Sequence, residues 1–489
     1  MLRKILLSAT AIFLAVTVSD SATYAQVAAT DSGPPSINEL LAKARKNGTT
    51  RVIVEFAEPA ITRDDRAYAS AVRSTQGAII ASVFGRSTAQ LASERALKLM
   101  QYSPMFALNV TADELGRLSQ DPRVIRIHAD ELSKPILLQS LGLIHMTGAS
   151  GAYSLGATGS GRTVAILDTG VNKNHEFLKG KVVSEACFNS TIPSEAATSR
   201  CPGGDSSTAN NSGLDCAPGV SGCGHGTHVS GIAAGNNTSF NAGEPRNGVA
   251  KNAKIIAINV FSRINKDSGK CGAGATQDCL LAFNSDQIEA LGRVYALRNS
   301  FKIDSINMSI GGGSTTGFCN TDARKPIIDK LRVAGIATVI ASGNDSFVNG
   351  VGFPACIQTA ITVGASTKKA TGKPERMAFY TNEGPQVDTL APGGDSTYPN
   401  GVVQEEILSS EFDAYAFLQG TSMATPHVTG AIAAIRSRPA CSGKTVAQIE
   451  DALHKTGRRI TDHRIVPGFP QLSSRRIDVV AVMKFLGCA

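Results

Sequence analysis

Five short runs rich in β-branched residues constrain this chain more than any other feature: TVAILD (163–168), KIIAINVF (254–261), IDSINMSI (303–310), GIATVIAS (335–342) and QTAITVGAS (358–366). Runs of this kind are buried on both faces of a parallel sheet. Helix-period segments, 286–299 and 323–333 among them, lie between the runs. The alternation specifies an α/β domain with a doubly wound, mostly parallel sheet. In such sheets ligands sit in the crevice beyond the carboxyl ends of the strands. Asp168 ends the first run, Ser309 falls at the end of the third, and Asn344 follows the fourth by two residues.

With 489 residues there is room for a second, smaller unit. Residues 1–25 combine Arg3 and Lys4 with an apolar run at 5–18 and a small-residue end, the layout of a signal peptide cut after Ala25. The run is too short, and too often interrupted by Ser and Thr, for a membrane anchor, and no cysteine lies nearby to carry a lipid. Export to the extracellular space or the periplasm is therefore expected, with no membrane association. Residues 26–50 read as a loose lead-in. A small α+β module follows at about 51–133, where RVIVEF (51–56) and RVIRIHAD (123–130) read as strands, 87–100 as a helix, and Thr111 and Glu114 as a capping box. The remainder, 134–489, holds the parallel sheet. All ten cysteines lie beyond residue 186, which in an exported chain implies disulfides confined to this part. Cys216 with Cys223 and Cys271 with Cys279 are the natural near-neighbour pairs. The formal charge of +8 is spread over 48 basic and 40 acidic residues without Lys/Arg runs or aromatic platforms, so no nucleic-acid partner is expected.

Four stretches carry side chains capable of chemistry. Asp168 in AILDTGV stands where a turn former or helix cap would also fit. His225 opens GHGTHVSGIAAG, a helix whose small residues allow close burial; with His228 and Cys223 it could instead ligate a metal, although the H-E-x-x-H pattern is missing. Asn344 in IASGNDS could form an Asx turn or donate its amide to an oxyanion. Ser422 in GTSMATPH could cap the helix that follows or act as a nucleophile at its positive end. The glycines of GATGSGRTVAILD precede a strand, whereas a dinucleotide loop follows one, which argues against nucleotide binding.

Taken together and in this order, LDTGV, GHGTHVSG, ASGND and GTSMATPH resemble the motifs of the subtilisin-like serine proteases over about 150–480. The resemblance implies that Ser422 is the nucleophile, His225 the general base and acid, Asp168 the orienting carboxylate and Asn344 an oxyanion donor. It further implies that Ser309, Ile310, Gly311 and Ala341, Ser342, Gly343 wall the substrate cleft, and that 26–133 is an inhibitory pro-segment and binding partner, removed by a cut between about 130 and 145. Protein or peptide substrates and a monomer are expected. No cofactor is required for catalysis; a structural calcium ion belongs to the resemblance, but no ligand spacing assigns it a site. A catalytically silent binding protein on the same fold is the alternative. The span from Asp168 to His225 departs from compact relatives by a long insert containing Cys187, Cys201, Cys216 and Cys223.

Overall fold

The structure, a computed structural model, describes residues 36–57, 65–99, 105–129, 137–239, 241, 243–367, 374–397 and 407–489. The signal-peptide reading lies outside these residues, as does the first part, 130–136, of the span expected to hold the processing bond. The chain forms two compact units, Met1–Ser133 and Lys134–Ala489.

In the first unit, α1 (Ile37–Asn47) starts at a capping box: Ser36 Oγ accepts from Glu39 N–H, and the Glu39 carboxylate accepts from Ser36 N–H. The loose lead-in expected at 26–50 is thus replaced over its second half by an ordered helix. β1 (Thr50–Phe56) follows, then α2 (Asp65–Phe84), α3 (Thr88–Arg95), β2 (Lys98–Leu99), β3 (Met105–Val110), α4 (Ala112–Gln120) and β4 (Val124–Ala129). The helix expected at 87–100 stops at Arg95 because Ala96 turns left-handed, and Lys98 and Leu99 pair with β3 instead. The Thr111–Glu114 capping box forms. The antiparallel sheet, in order β2-β3-β1-β4, buries Val52, Val54, Phe106 and Leu108 against Leu115 and Leu118 of α4.

The second unit opens with α5 (Leu137–Leu143), β5 (Thr163–Asp168), β6 (Val182–Phe188) and the short strands β7 (Ala197–Thr198) and β8 (Ser206–Ser207). Next come α6 (His225–Ala234), β9 (Lys254–Asn259), β10 (Ser262–Ile264), β11 (Cys279–Leu281), α7 (Asn284–Leu297), β12 (Ile303–Met308), β13 (Gly312–Thr315), α8 (Lys325–Val333), β14 (Ala337–Ala341) and β15 (Val351–Phe353). The chain ends with β16 (Ile361–Ser366), β17 (Thr389–Pro392), the hairpin β18 (Ile407–Glu411) and β19 (Ala414–Leu418), α9 (Thr421–Arg436), α10 (Val446–Lys455), β20 (Arg458–Thr461), β21 (Ser473–Arg476) and α11 (Val479–Phe485).

Ten strands make one sheet in the order β20-β21-β17-β16-β14-β12-β5-β9-β6-β8. Every pairing from β21 through to β6 is parallel, and antiparallel β20 and β8 close the two edges. Each run of apolar residues feeds both faces. In β5, Val164 and Ile166 join the core beneath α6 and α9, whereas Ala165 and Leu167 join the core beneath α7 and α8. This is the doubly wound architecture that the sequence pattern specifies. All ten cysteines pair, as Cys187–Cys201, Cys216–Cys223, Cys271–Cys279, Cys319–Cys356 and Cys441–Cys488.

Helices α6 and α9 lie side by side on one face of the sheet and approach to backbone contact. A Cβ at Gly430 would stand 2.5 Å from the Ala233 carbonyl oxygen and 2.8 Å from Val249 Cβ. Neither neighbour is the free end of a flexible side chain, so one helix must move. Gly430→Ala is therefore expected to destabilise the second unit by about 3 kcal/mol, the upper range for overpacking. Denaturant midpoints in a Ser422→Ala background measure it, and an unchanged midpoint would refute the close approach.

Candidate active site

Asp168 is the last residue of β5 and fully buried. Its Oδ1 accepts from Thr169 N–H at 2.8 Å and bonds His225 Nδ1 at 2.7 Å. His225 is the first residue of α6, and its ring remains 24% exposed. The imidazole thus has one nitrogen held by a carboxylate and the other facing the cleft. Burial alone would lower the His225 pKa; the negative charges of Asp168, Asp215 and Glu411 outweigh it and raise the value above 6.5. The glycine after His225 is required by space: a Cβ at Gly226 would come within 2.1 Å of the Gly170 oxygen.

Ser422 is the second residue of α9, inside its first turn, and the cap position is taken by Gly420. The capping alternative for Ser422 therefore does not apply. Pro426 lies beyond the four N–H groups that every helix leaves unpaired, so it costs the helix one hydrogen bond. Without an N–H at 426, the Ser422 carbonyl has no helical donor. Ser309 supplies one from outside: its Oγ donates to Ser422 O at 2.8 Å, and itself accepts from Asn307 Nδ2 at 3.0 Å. The Ser422 hydroxyl makes only a long contact, 3.5 Å to Ser309 O, at the limit of a hydrogen bond. It is loosely committed.

Asn344 is exposed at the cleft. Its Oδ1 accepts from Thr421 N–H and Thr421 Oγ, both at 2.9 Å. Two donors on the oxygen fix the amide so that Nδ2 is left free to donate. The Ser422 N–H lies in the turn where helices lack internal acceptors.

His225, Ser422 and Asn344 line one cleft of 810 Å³ together with Ser309, Ile310, Gly311, Ala341 and Gly343. Ser342 is not part of this lining. It is fully buried, and its Oγ donates to Asn382 O at 2.8 Å. Sequence reasoning missed Phe261, Leu280 and Phe353, which add apolar surface to the same cleft. Their signal was weak, because single apolar residues in or beside short strands look alike whether they face solvent or a groove. It also missed two carboxylates near the imidazole, Asp215 in the insert and Glu411 at the end of β18.

The metal alternative loses its ligands. Cys223 is bound to Cys216 in a disulfide. His228 Nε2 bonds the Ala416 carbonyl at 3.1 Å, and burial holds its pKa down at about 3. Among the described residues no group of three or more His, Cys, Asp or Glu side chains is placed to hold a metal ion, so no calcium site is assigned.

A carboxylate bonded to an imidazole, with a serine and an oriented amide on the same cleft, is the set that an activated serine nucleophile requires. The sequence pattern of the Subtilase family matches residues 159–469, and the chain belongs to that family. Over 369 residues it is 30% identical to an extracellular protease of Xanthomonas campestris pv. campestris, the match covering 71% of this chain and 57% of the relative. Over 334 residues it is 30% identical to an extracellular serine proteinase of a Thermus species, covering 67% of this chain and 65% of the relative. The chain thus spans less than two thirds of the length of either. A solved structure of proteases from Pseudoalteromonas arctica PAMC 21717 superposes with a TM-score of 0.52 at 27% identity, covering 72% of this chain and 98% of that one.

Proposed function

We propose that this chain is the precursor of a secreted serine endopeptidase, with Ser422 as nucleophile, His225 as general base and acid, Asp168 as its orienting carboxylate and Asn344 as oxyanion donor. The observation that carries the reading is the 2.7 Å Asp168–His225 bond at the cleft on which Ser422 opens. Family membership and the names of the relatives agree with it.

Ser422 Oγ attacks the carbonyl carbon of a bound peptide while its proton passes to His225 Nε2. The negative oxygen of the tetrahedral intermediate takes hydrogen bonds from Asn344 Nδ2 and the Ser422 N–H. The imidazolium is stabilised by Asp168. His225 then gives the proton to the departing amine, leaving an ester on Ser422. Water, deprotonated by His225, cleaves the ester and restores the hydroxyl.

The unit at 26–133 acts as the pro-segment and is removed on maturation. From Ser140 onwards the chain is embedded in the second unit: His427 Nε2 bonds Ser140 Oγ at 3.1 Å, and Leu141, Ile144 and Met146 are core residues. The processing bond is therefore expected ahead of Ser140. Export agrees with five disulfides in the second unit and with the word extracellular in the relatives' names. Among the described residues no helix is long and apolar enough to cross a membrane.

The test is peptide hydrolysis with and without a fluorophosphonate, beside a chelator control. Stoichiometric labelling of Ser422 with loss of activity is expected. Because the base must be neutral and its pKa is raised, activity should fall as pH drops through a midpoint above 6.5. Correctly processed protein whose Ser422 fails to label would favour the silent binding protein.

A further inference from the structure

We infer that Asp215, supplied by the insert between Asp168 and His225, is a positioning residue that locks the carboxylate strand to the imidazole helix. The inference rests on the protease reading for its kinetic consequence, but its structural basis is independent of it.

Two threonine hydroxyls converge on the Asp215 carboxylate. Thr169, next to Asp168, accepts from Gly226 N–H at 2.9 Å and bonds Asp215 Oδ1 at 3.1 Å. Thr227, two residues after His225, accepts from Asn172 N–H at 2.9 Å and donates to Asp215 Oδ2 at 2.7 Å. The arrangement is reciprocal. The hydroxyl on the strand side takes its N–H from the helix, the hydroxyl on the helix side takes its N–H from the strand side, and both pass their own proton to one carboxylate. Thr227 N–H at 3.3 Å, Cys216 N–H at 2.8 Å and the backbone of Gly224 add further donors. Burial raises the Asp215 pKa, and these donors act against it by favouring the ionised form. The two hydroxyls are already occupied as acceptors, which fixes the direction of each bond and makes the network stiff.

Every element packed here contributes charge. Asp168 faces His225 from β5, Glu411 from β18 and Asp215 from the insert, while His228 on the same helix stays neutral. Arg200, also from the insert, donates to the Thr169 carbonyl at 3.1 Å and faces Asp215, so Thr169 is gripped at both its carbonyl and its hydroxyl. Both insert residues sit beside half-cystines, Arg200 before Cys201 and Asp215 before Cys216, in the bridges to Cys187 and Cys223. The disulfide-pinned insert is thus the outer wall of the Asp168–His225 pair. Removing the Asp215 charge takes one source of stabilisation from the imidazolium, which lowers the His225 pKa, and slackens the seam between Asp168 and His225.

Asp215→Asn tests this on the processed protein. A kcat lowered about 10- to 100-fold is expected, with KM within about twofold, since small misplacements of reacting groups cost rates of this order. The acid limb of the pH profile should move to lower pH. In parallel, the His225 imidazole is titrated by NMR in Ser422→Ala protein with and without Asp215→Asn, a readout that needs no activity. Unchanged kcat and an unchanged imidazole titration overturn the inference, even if thermal stability falls. Wild-type protein that neither cleaves peptide nor labels at Ser422 overturns the protease reading instead, and the imidazole titration still decides Asp215. Should Asp215→Asn not fold, Thr227→Val and Thr227→Ser replace it: kcat lost in the first and retained in the second supports the network, and equal kcat in both overturns it.

Discussion

Ser422→Ala leaves the precursor uncut and lowers peptide hydrolysis by roughly a million-fold in kcat, the order of loss expected when the nucleophile of a serine triad is removed. The structural argument concerns selectivity. The change removes a hydroxyl that, among the described residues, makes no hydrogen bond shorter than its 3.5 Å approach to Ser309 O. The helix keeps its anchor, because Ser309 Oγ donates to the backbone carbonyl of residue 422 and not to its side chain. Fold, cleft and the Asp168–His225 bond should therefore persist. The measurement is N-terminal sequencing of secreted protein from a protease-free host, together with kcat on a peptide substrate. A mutant that matures normally would exclude self-processing; one that hydrolyses peptide normally would exclude Ser422 as nucleophile.

Asn344→Leu is expected to lower kcat by about 10²–10³ while leaving KM little changed, the range for loss of one oxyanion donor. The amide direction is what makes the prediction specific. Thr421 N–H and Oγ–H both point at Oδ1, so the side chain cannot flip without setting donors against donors. The free NH₂ therefore meets negative charge that exists only after attack, and its loss weakens the transition state without weakening substrate binding. Kinetics with kcat and KM measured separately decide it. An unchanged kcat would take Asn344 out of the oxyanion role and return it to a turn former.

The strands of the large sheet were legible because burial on both faces forces contiguous apolar residues, and TVAILD at 163–168 needed no adjustment at either end. Edge strands were not legible. Ser473–Arg476 is a charged stretch that becomes a strand only because β17 and β20 offer it partners. The helix at Ile37–Asn47 was missed although Ser36 and Glu39 carry the same capping-box spacing that was read correctly at Thr111 and Glu114; Gly33, Pro34 and Pro35 just before it hid the signal. At the site, the four chemical residues were readable from their flanking motifs. Asp215 was not, since its role depends on two hydroxyls 46 and 12 residues away in the chain meeting it in space. Ser309 was read as a cleft wall and is one, but its hydroxyl serves the helix behind it.

That hydroxyl has a mechanical consequence. A proline in the second turn of α9 leaves a gap that the sheet itself plugs, through the residue directly preceding Ile310 and Gly311. On the proposed function, a guest peptide lying along those residues would press on the same frame that carries the attacking oxygen. Recognition and bond-breaking would then share a single datum, and a poorly seated guest would be turned away by misfit rather than accommodated by yielding of the host.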